Sequence, residues 1–256
     1  MSKFDKTIKR IVVKLGSTQI VDGNFKPKAG QLAALAKQIK MLRKAGIEVI
    51  LVSSGAIALG MGELKEHKRP TDLASLQARA ALGQAVLMRV YSEAFKKAQL
   101  KCAQVLLVWD DFQNRALNVR HTLEAILKEG VVPIINENDT TSTEEIKFGD
   151  NDKLSALVAK FLHADCLIIL SSVDGFYGRD KEVIRNIPAI TPAIISMSAG
   201  TSHVHVAKGG MITKIDAIQV ATKAGIPCVI TAGSAPNVLV RLVQGEQVGT
   251  YFNAKG

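Results

Sequence analysis

Six short, almost uninterrupted apolar runs constrain this chain more than any other feature: I-V-V-K-L (11–15), E-V-I-L-V (48–52), A-Q-V-L-L-V (103–108), V-V-P-I-I (131–135), C-L-I-I-L (166–170) and P-C-V-I-T (227–231). A strand with one wet face alternates apolar and polar residues. These runs do not, so they read as strands buried on both faces, the mark of a parallel sheet. Between them, segments 27–45, 72–99, 114–129, 152–161 and 212–224 have helical character, and three of these stop against Gly46, Gly130 and Gly225. The alternation predicts an α/β fold, a three-layer sandwich with a mainly parallel central sheet. Of the 256 residues, 47% are hydrophobic, enough to fill such a core. With no internal repeat, low-complexity tract or linker, one domain is expected over 1–256. Its two lobes, about 1–165 and about 166–256, then share a single sheet.

Composition narrows the compartment and the partners. No run of eighteen apolar residues is present, which argues against a membrane-spanning helix. The opening M-S-K-F-D-K-T-I-K-R is charged and lacks the apolar core of a signal peptide. Cys102, Cys166 and Cys228 lie far apart without metal-ligand spacing, as expected of reduced thiols in the cytoplasm. The net charge of +10 raises the question of nucleic-acid binding. Yet Lys and Arg are scattered over helix-like segments, and aromatics amount to 5%, too few for base-stacking platforms. The charge reads better as a solvated surface whose field suits small anions.

Five polar or glycine-rich segments follow strand ends, the edge at which open α/β sheets bind ligands. In V-V-K-L-G-S, Lys14 sits inside an apolar run, where a charge is costly without an anionic partner. On an edge strand it would simply face water. Gly16 beside it permits close approach of a phosphate, while the P-loop and G-x-G-x-x-G patterns are absent. V-S-S-G-A-I-A-L-G (52–60), with Ser54 and Gly55, turns from strand to helix through small residues. Its N–H groups suit a carboxylate or phosphate, though an ordinary serine cap would look the same. I-N-E-N-D-T (135–140) sets four polar side chains after a strand. Asp139 can pair with an ammonium group and the amides with a carboxylate, or the segment is an Asn/Asp-rich turn. F-G-D-N-D-K-L-S-A-L-V-A (148–159) groups Asp150, Asn151 and Asp152 where one residue would suffice to cap a helix. H-V-A-K-G-G-M-I-T-K (205–214) puts Gly209 and Gly210 before a helix containing Lys214. That is a polyphosphate cradle, or else a flexible loop with a surface lysine.

Taken in order, I-N-E-N-D-T, E-I-K-F-G-D-N-D-K-L-S-A-L-V-A and K-G-G-M-I-T-K, together with Q-V-L-L (104–107) and D-F-Q-N-R-A-L-N-V-R-H-T-L (111–123), resemble the glutamate 5-kinases of the amino acid kinase superfamily. The match runs from about residue 10 to about 250. The resemblance implies the amino acid kinase fold, with ATP and L-glutamate as substrates and Mg2+ bound with the nucleotide. It implies phosphorylation of the γ-carboxylate, the first step of proline biosynthesis. Lys14 and Lys214 would neutralise the transferring phosphoryl group, and Asp152 would orient them. Ser54, Gly55, Asp139, Asn151 and Asp150 would bind glutamate. Lys14, Ser171, Ser172, Lys208, Gly209, Gly210, Met211, Ile212, Thr213 and Lys214 would bind ATP. The resemblance further implies a homo-oligomer (dimer or tetramer), hand-off of the product to glutamyl phosphate reductase, and feedback inhibition by proline. Three departures stand out. Ser171-Ser172 replaces the usual Thr-Asp, Lys208 replaces the Thr that commonly precedes the glycine pair, and the chain stops at Gly256, before a C-terminal PUA domain would fit, so the short form is expected.

A carboxylate nucleophile, with an ordinary pKa of about 4.3, is ionised at neutral pH and needs no general base. That accords with a sequence lacking a His-Asp or Cys-His pair. The task is instead positioning and charge neutralisation. His203 and His205 have H-x-H spacing without a third ligand, and Trp109 reads as a packed residue beside a turn formed by Asp110 and Asp111. The helix around 72–99 reads as a packing element that would border the interface of an oligomer. Two rivals remain. One is another kinase of the superfamily, acting on acetylglutamate, aspartate, carbamate or UMP. The other is a non-catalytic amino-acid sensor, to which Lys14, Asp152 and Lys214 would be superfluous.

Overall fold

The structure, a computed structural model, describes residues 8–141, 151–199 and 210–254. β1 (Arg10–Leu15) leads through the one-turn α1 (Ser17–Ile20) to α2 (Ala29–Lys44) and β2 (Glu48–Ser53). α3 (Ala56–Glu63) and the long α4 (Leu73–Lys97) follow, then β3 (Cys102–Leu107), α5 (Asp111–Asn114), α6 (Ala116–Lys128) and β4 (Val132–Glu137). The second half carries α7 (Asp152–Phe161), β5 (Cys166–Ser171), β6 (Asn186–Ile187), α8 (Pro192–Ala199), α9 (Met211–Lys223), β7 (Cys228–Ala232), α10 (Val238–Val243) and β8 (Thr250–Phe252).

Each of the six apolar runs forms a strand within a residue or two of its expected bounds, and each helical segment forms a helix. The strands join in one sheet of order β3-β4-β2-β1-β5-β7-β8-β6. Every pairing is parallel except that of β7 with β8. The short β6, β8, α8 and α10 have no counterpart in the sequence reading, because pieces of two to eight residues span too few periods to declare themselves.

The two-residue period of β1 divides the core. Ile11, Val13 and Leu15 face a cluster built with α2, α3, α4 and α10. Val12 faces the opposite cluster, built with α6, α7 and α9, and Lys14 shares that face by period. β1 lies between β2 and β5. The chain therefore leaves it toward one flank for β2 and returns on the other for β5. Such a reversal point is where ligands enter at the carboxyl ends of the strands.

On the first face, α3 and α4 approach until backbone meets backbone. A Cβ at Gly60 would overlap the Arg79 carbonyl, and one at Gly83 the Ala56 carbonyl. Neither glycine has a positive φ, so space and not conformation requires them. Gly83→Ala is expected to lower stability by about 1–3 kcal/mol through overpacking. Urea unfolding at unchanged m-value checks this, and a midpoint equal to wild type would show that the helices can part without penalty.

Candidate active site

Lys14 stands on the central strand with both neighbours in place, so the edge-strand reading does not apply. It is 2% exposed, and its ammonium needs an anion. The anion is Asp152, wholly buried at the start of α7, with Lys14 Nζ 2.6 Å from Oδ1. Lys214, in the first turn of α9 and also buried, places Nζ 3.2 Å from Oδ2. Thr213 Oγ1 lies 3.0 Å from the same Oδ2 and 3.0 Å from the Gly210 carbonyl. One carboxylate thus serves two lysines drawn from the two halves of the chain. The trio carries one surplus positive charge, which suits a polyanion.

Glycines stand near both lysines. A Cβ at Gly16 would stand 3.9 Å from Lys14 Nζ, so any larger residue would sit over the ammonium. Among the described residues a Cβ at Gly210, which opens α9, would meet nothing within 4 Å. The N–H groups of α9's first turn, at Met211, Ile212 and Thr213, lie at the same end of that helix as Lys214.

The amide cluster next to Asp152 has a fixed direction. Asn151 Nδ2 donates to the Ser53 carbonyl at 2.8 Å and to Asn136 Oδ1 at 2.6 Å. Asn136 Oδ1 also accepts from the Glu137 N–H at 2.9 Å, and Asn136 Nδ2 donates to Gln84 Oε1 at 2.8 Å. Two backbone groups, the Ser53 carbonyl and the Glu137 N–H, therefore set which way round both asparagines point. Asn151 keeps Oδ1 for a further partner. It precedes α7 yet makes no side-chain cap bond, so the helix-cap explanation of the D-N-D cluster does not hold for it. Gly55 takes the corresponding place before α3 with φ 110°, so Ser54 is no cap either. Ser54 is partly exposed, and its N–H donates to the Leu15 carbonyl.

Asp139, just past β4, is partly buried. Burial first, then the neighbouring Glu137 charge, pushes its carboxyl up to about 7, against a pull downward from Arg69. Ser171 ends β5 with its carbonyl held by Gln19 Nε2 at 2.9 Å and the Gly233 N–H at 3.0 Å, while Ser172 is exposed. Asp150, Lys208, Gly209, His203 and His205 lie outside the described residues.

The structure thus brings together Lys14, Asp152, Lys214, Thr213 and Gly210, and places Asn151 directly beside them. Sequence reasoning did not single out Asn136, which lay unnamed in a flagged segment, or Gln84, which sits mid-helix with no local signal. It also read Trp109 as packed. Trp109 is 41% exposed, and its ring is covered by Lys153 Nζ, 4.3 Å from the centroid, one residue beyond Asp152. Among the described residues no group of three or more His, Cys, Asp or Glu could hold a metal ion, and no helix is long and apolar enough to cross a membrane.

The family model described as the amino acid kinase family matches residues 9–232. The chain belongs to the amino acid kinase family. Two proteins named glutamate 5-kinase, from Carboxydothermus hydrogenoformans and Clostridium perfringens, are 44% and 40% identical to it. Each alignment covers 100% of this chain, with 70% of the first relative and 99% of the second. The motif resemblance to the glutamate 5-kinases therefore extends over the whole length, and at this identity and coverage the chain falls within that group. The solved structure of N-acetylglutamate synthase from Neisseria gonorrhoeae superposes with a TM-score of 0.70 at 16% identity, covering 97% of this chain and 60% of that one. It shares the fold.

Proposed function

We propose that the chain transfers the terminal phosphoryl group of ATP to the γ-carboxylate of L-glutamate. The observation that carries this reading is the single buried carboxylate of Asp152 shared by Lys14 and Lys214. Two aligned cations with a surplus charge supply what an anion needs to attack a polyanion. No side chain is required to remove a proton, because the attacking carboxylate carries none at neutral pH. The lysines hold the phosphoryl oxygens, and Asp152 fixes where the lysines stand. The first-turn N–H groups of α9 receive the phosphates further along the nucleotide, and Ser171 and Ser172 border it. Asp152 is committed to the lysines, and Mg2+, bound with the nucleotide, would supply further neutralising charge. Glutamate lies across the ends of β2 and β4, in the lobe before residue 166, with Ser54, Gly55, Asn151 and Asp139 about it. The nucleotide lies in the lobe after it. Proline biosynthesis in the cytoplasm, a homo-oligomeric assembly and onward passage of the acyl phosphate to a reductase belong to the same reading.

ADP release from MgATP with hydroxylamine present tests it. Glutamate-dependent ADP and hydroxamate are expected. Turnover with aspartate, N-acetylglutamate, carbamate or UMP instead would keep the kinase chemistry and overturn the substrate. A folded, ATP-binding protein without turnover would favour a sensor.

In this reading Asp139 receives the α-ammonium of glutamate, which requires its ionised form. With its carboxyl titrating at about 7, the free protein carries a growing protonated fraction as pH falls below that value. The Kd for glutamate is then expected to rise by about tenfold per pH unit below 7 and to level off above it. Trp109 is the chain's single tryptophan and borders Asp152 through Lys153, so its fluorescence offers a titration independent of turnover. A Kd flat with pH would remove Asp139 from the ammonium site.

A further inference from the structure

A cleft of about 390 Å3 opens between α2 and the turn that leads from β7 into α10. That volume is within the range of small-molecule sites, roughly 300–1,000 Å3. It lies on the sheet face opposite Lys14, since its Leu15, Leu32, Leu35 and Leu170 walls belong to the core of that other face. Among the described residues no charged side chain lines it. In a protein of net charge +10 whose proposed substrates are anions, that absence separates the cleft from the substrate sites.

Its polar atoms have defined roles. Gln38 is 7% exposed and accepts the Leu239 N–H on Oε1 at 3.0 Å. An N–H can only donate, so the amide cannot be turned round, and Nε2 is left at the cleft wall with no partner among the described residues. Gln31 Nε2 donates to Gln19 Oε1 and lies 3.5 Å from the Gly233 carbonyl. Gln19 in turn is held by donating to the Ser171 carbonyl. This leaves Gln31 with its Oε1 as acceptor. Gln31 and Gln38 stand two turns apart on α2, about 10 Å along its axis. The cleft therefore offers one donor at its wall, one acceptor some way off, and leucine walls.

We propose that this cleft binds a small, uncharged aliphatic carboxamide, with its carbonyl on Gln38 Nε2 and its chain against Leu32 and Leu35. An anion or ammonium group would leave its hydration for walls that carry no countercharge. The route to the reaction is short. Leu15 adjoins Lys14, Leu170 adjoins Ser171, and Gln19 grips the Ser171 carbonyl from the cleft side. Occupancy is accordingly felt at the nucleotide end more than at the glutamate end.

Hexanamide, hexanoate and hexylamine form a matched neutral, anionic and cationic series for the test. Saturation-transfer NMR is run on the protein saturated with glutamate and a non-hydrolysable ATP analogue, so that both substrate sites are closed to the probes. Hexanamide is expected to show saturable transfer, and hexanoate and hexylamine much less. Ala34→Trp, at an exposed position on the rim of the cleft and away from the lysines, is expected to abolish the transfer while leaving basal kcat unchanged. Hexanamide is also expected to change the KM for MgATP of wild type by about fivefold, and to have no effect in Ala34→Trp. No saturable transfer, equal binding of hexanoate, or transfer that persists in Ala34→Trp would each overturn the site. Binding with an unchanged KM for MgATP would overturn the link to the nucleotide. The NMR readout needs no turnover, so the substrate assignment and this site fail separately.

Discussion

Asp152→Asn is expected to cost about 3–5 kcal/mol of unfolding free energy, the usual penalty when one member of a buried ion pair is removed. The substitution keeps the shape and removes the charge. Lys14 at 2% and Lys214 at 8% exposure then lose the carboxylate that both contact and meet a neutral amide in its place. The wild-type arrangement is tolerable because one carboxylate contacts both, at 2.6 and 3.2 Å. A polyanion entering the variant can take over part of that duty. MgATP is therefore expected to raise the unfolding midpoint of Asp152→Asn by more than it raises that of wild type. Thermal unfolding with and without MgATP reads both effects. A variant as stable as wild type would mean that the lysines reach water without effort.

Lys214→Ala is expected to lower kcat by about 10²–10³, on the scale of losing one aligned donor to developing charge, with little change in the KM for glutamate. The reason is geometric. Lys214 comes from α9, on the side where the proposed nucleotide lies, and its ammonium shares Asp152 with Lys14. Its removal should leave the glutamate side standing, since Asn151 is tied to Ser53 and Asn136 instead. The stability cost should be smaller than for Asp152→Asn, because the remaining pair, Lys14 with Asp152, is neutral. Steady-state kinetics in both substrates separates the outcomes. A near-normal kcat would exclude Lys214 from phosphoryl neutralisation, and a raised KM for glutamate alone would place it on the wrong substrate.

Much of the fold was legible because buried parallel strands announce themselves. C-L-I-I-L admits hardly any other reading, and β5 matches it residue for residue with one added serine. Lys14 was legible as an anomaly, a charge within an apolar run, but whether it faced water depended on strand order, and strand order is a non-local property. From its neighbours in the sequence Asp152 stood out only as one member of a polar cluster, and it was the family resemblance that implied a role in orienting the two lysines. That it lies between two lysines follows from how α7 and α9 pack, which no window of sequence contains. Gln84 could not have been found at all. It looks like any polar residue on a long helix until Asn136 arrives from a strand some fifty residues later. The cleft beside α2 was hidden for the same reason, since its glutamines occupy ordinary helical positions and acquire meaning only when the β7–α10 turn closes over them.

The position of β1 has a consequence for how the chain is made. β1 leaves the ribosome before the other strands, yet it ends between β2 and β5, and its lysine pairs with Asp152 of α7, which also holds Lys214 of α9. A growing chain can pair β1 with β2 early. It cannot bury Lys14 without loss until the segment bearing Asp152 has emerged, and the second lysine arrives later still. Until then the face of β1 that carries Lys14 is better left in water than buried. Long-range closure of this kind slows folding. In exchange, the groups proposed to carry out the chemistry come together only in a chain that has almost finished folding.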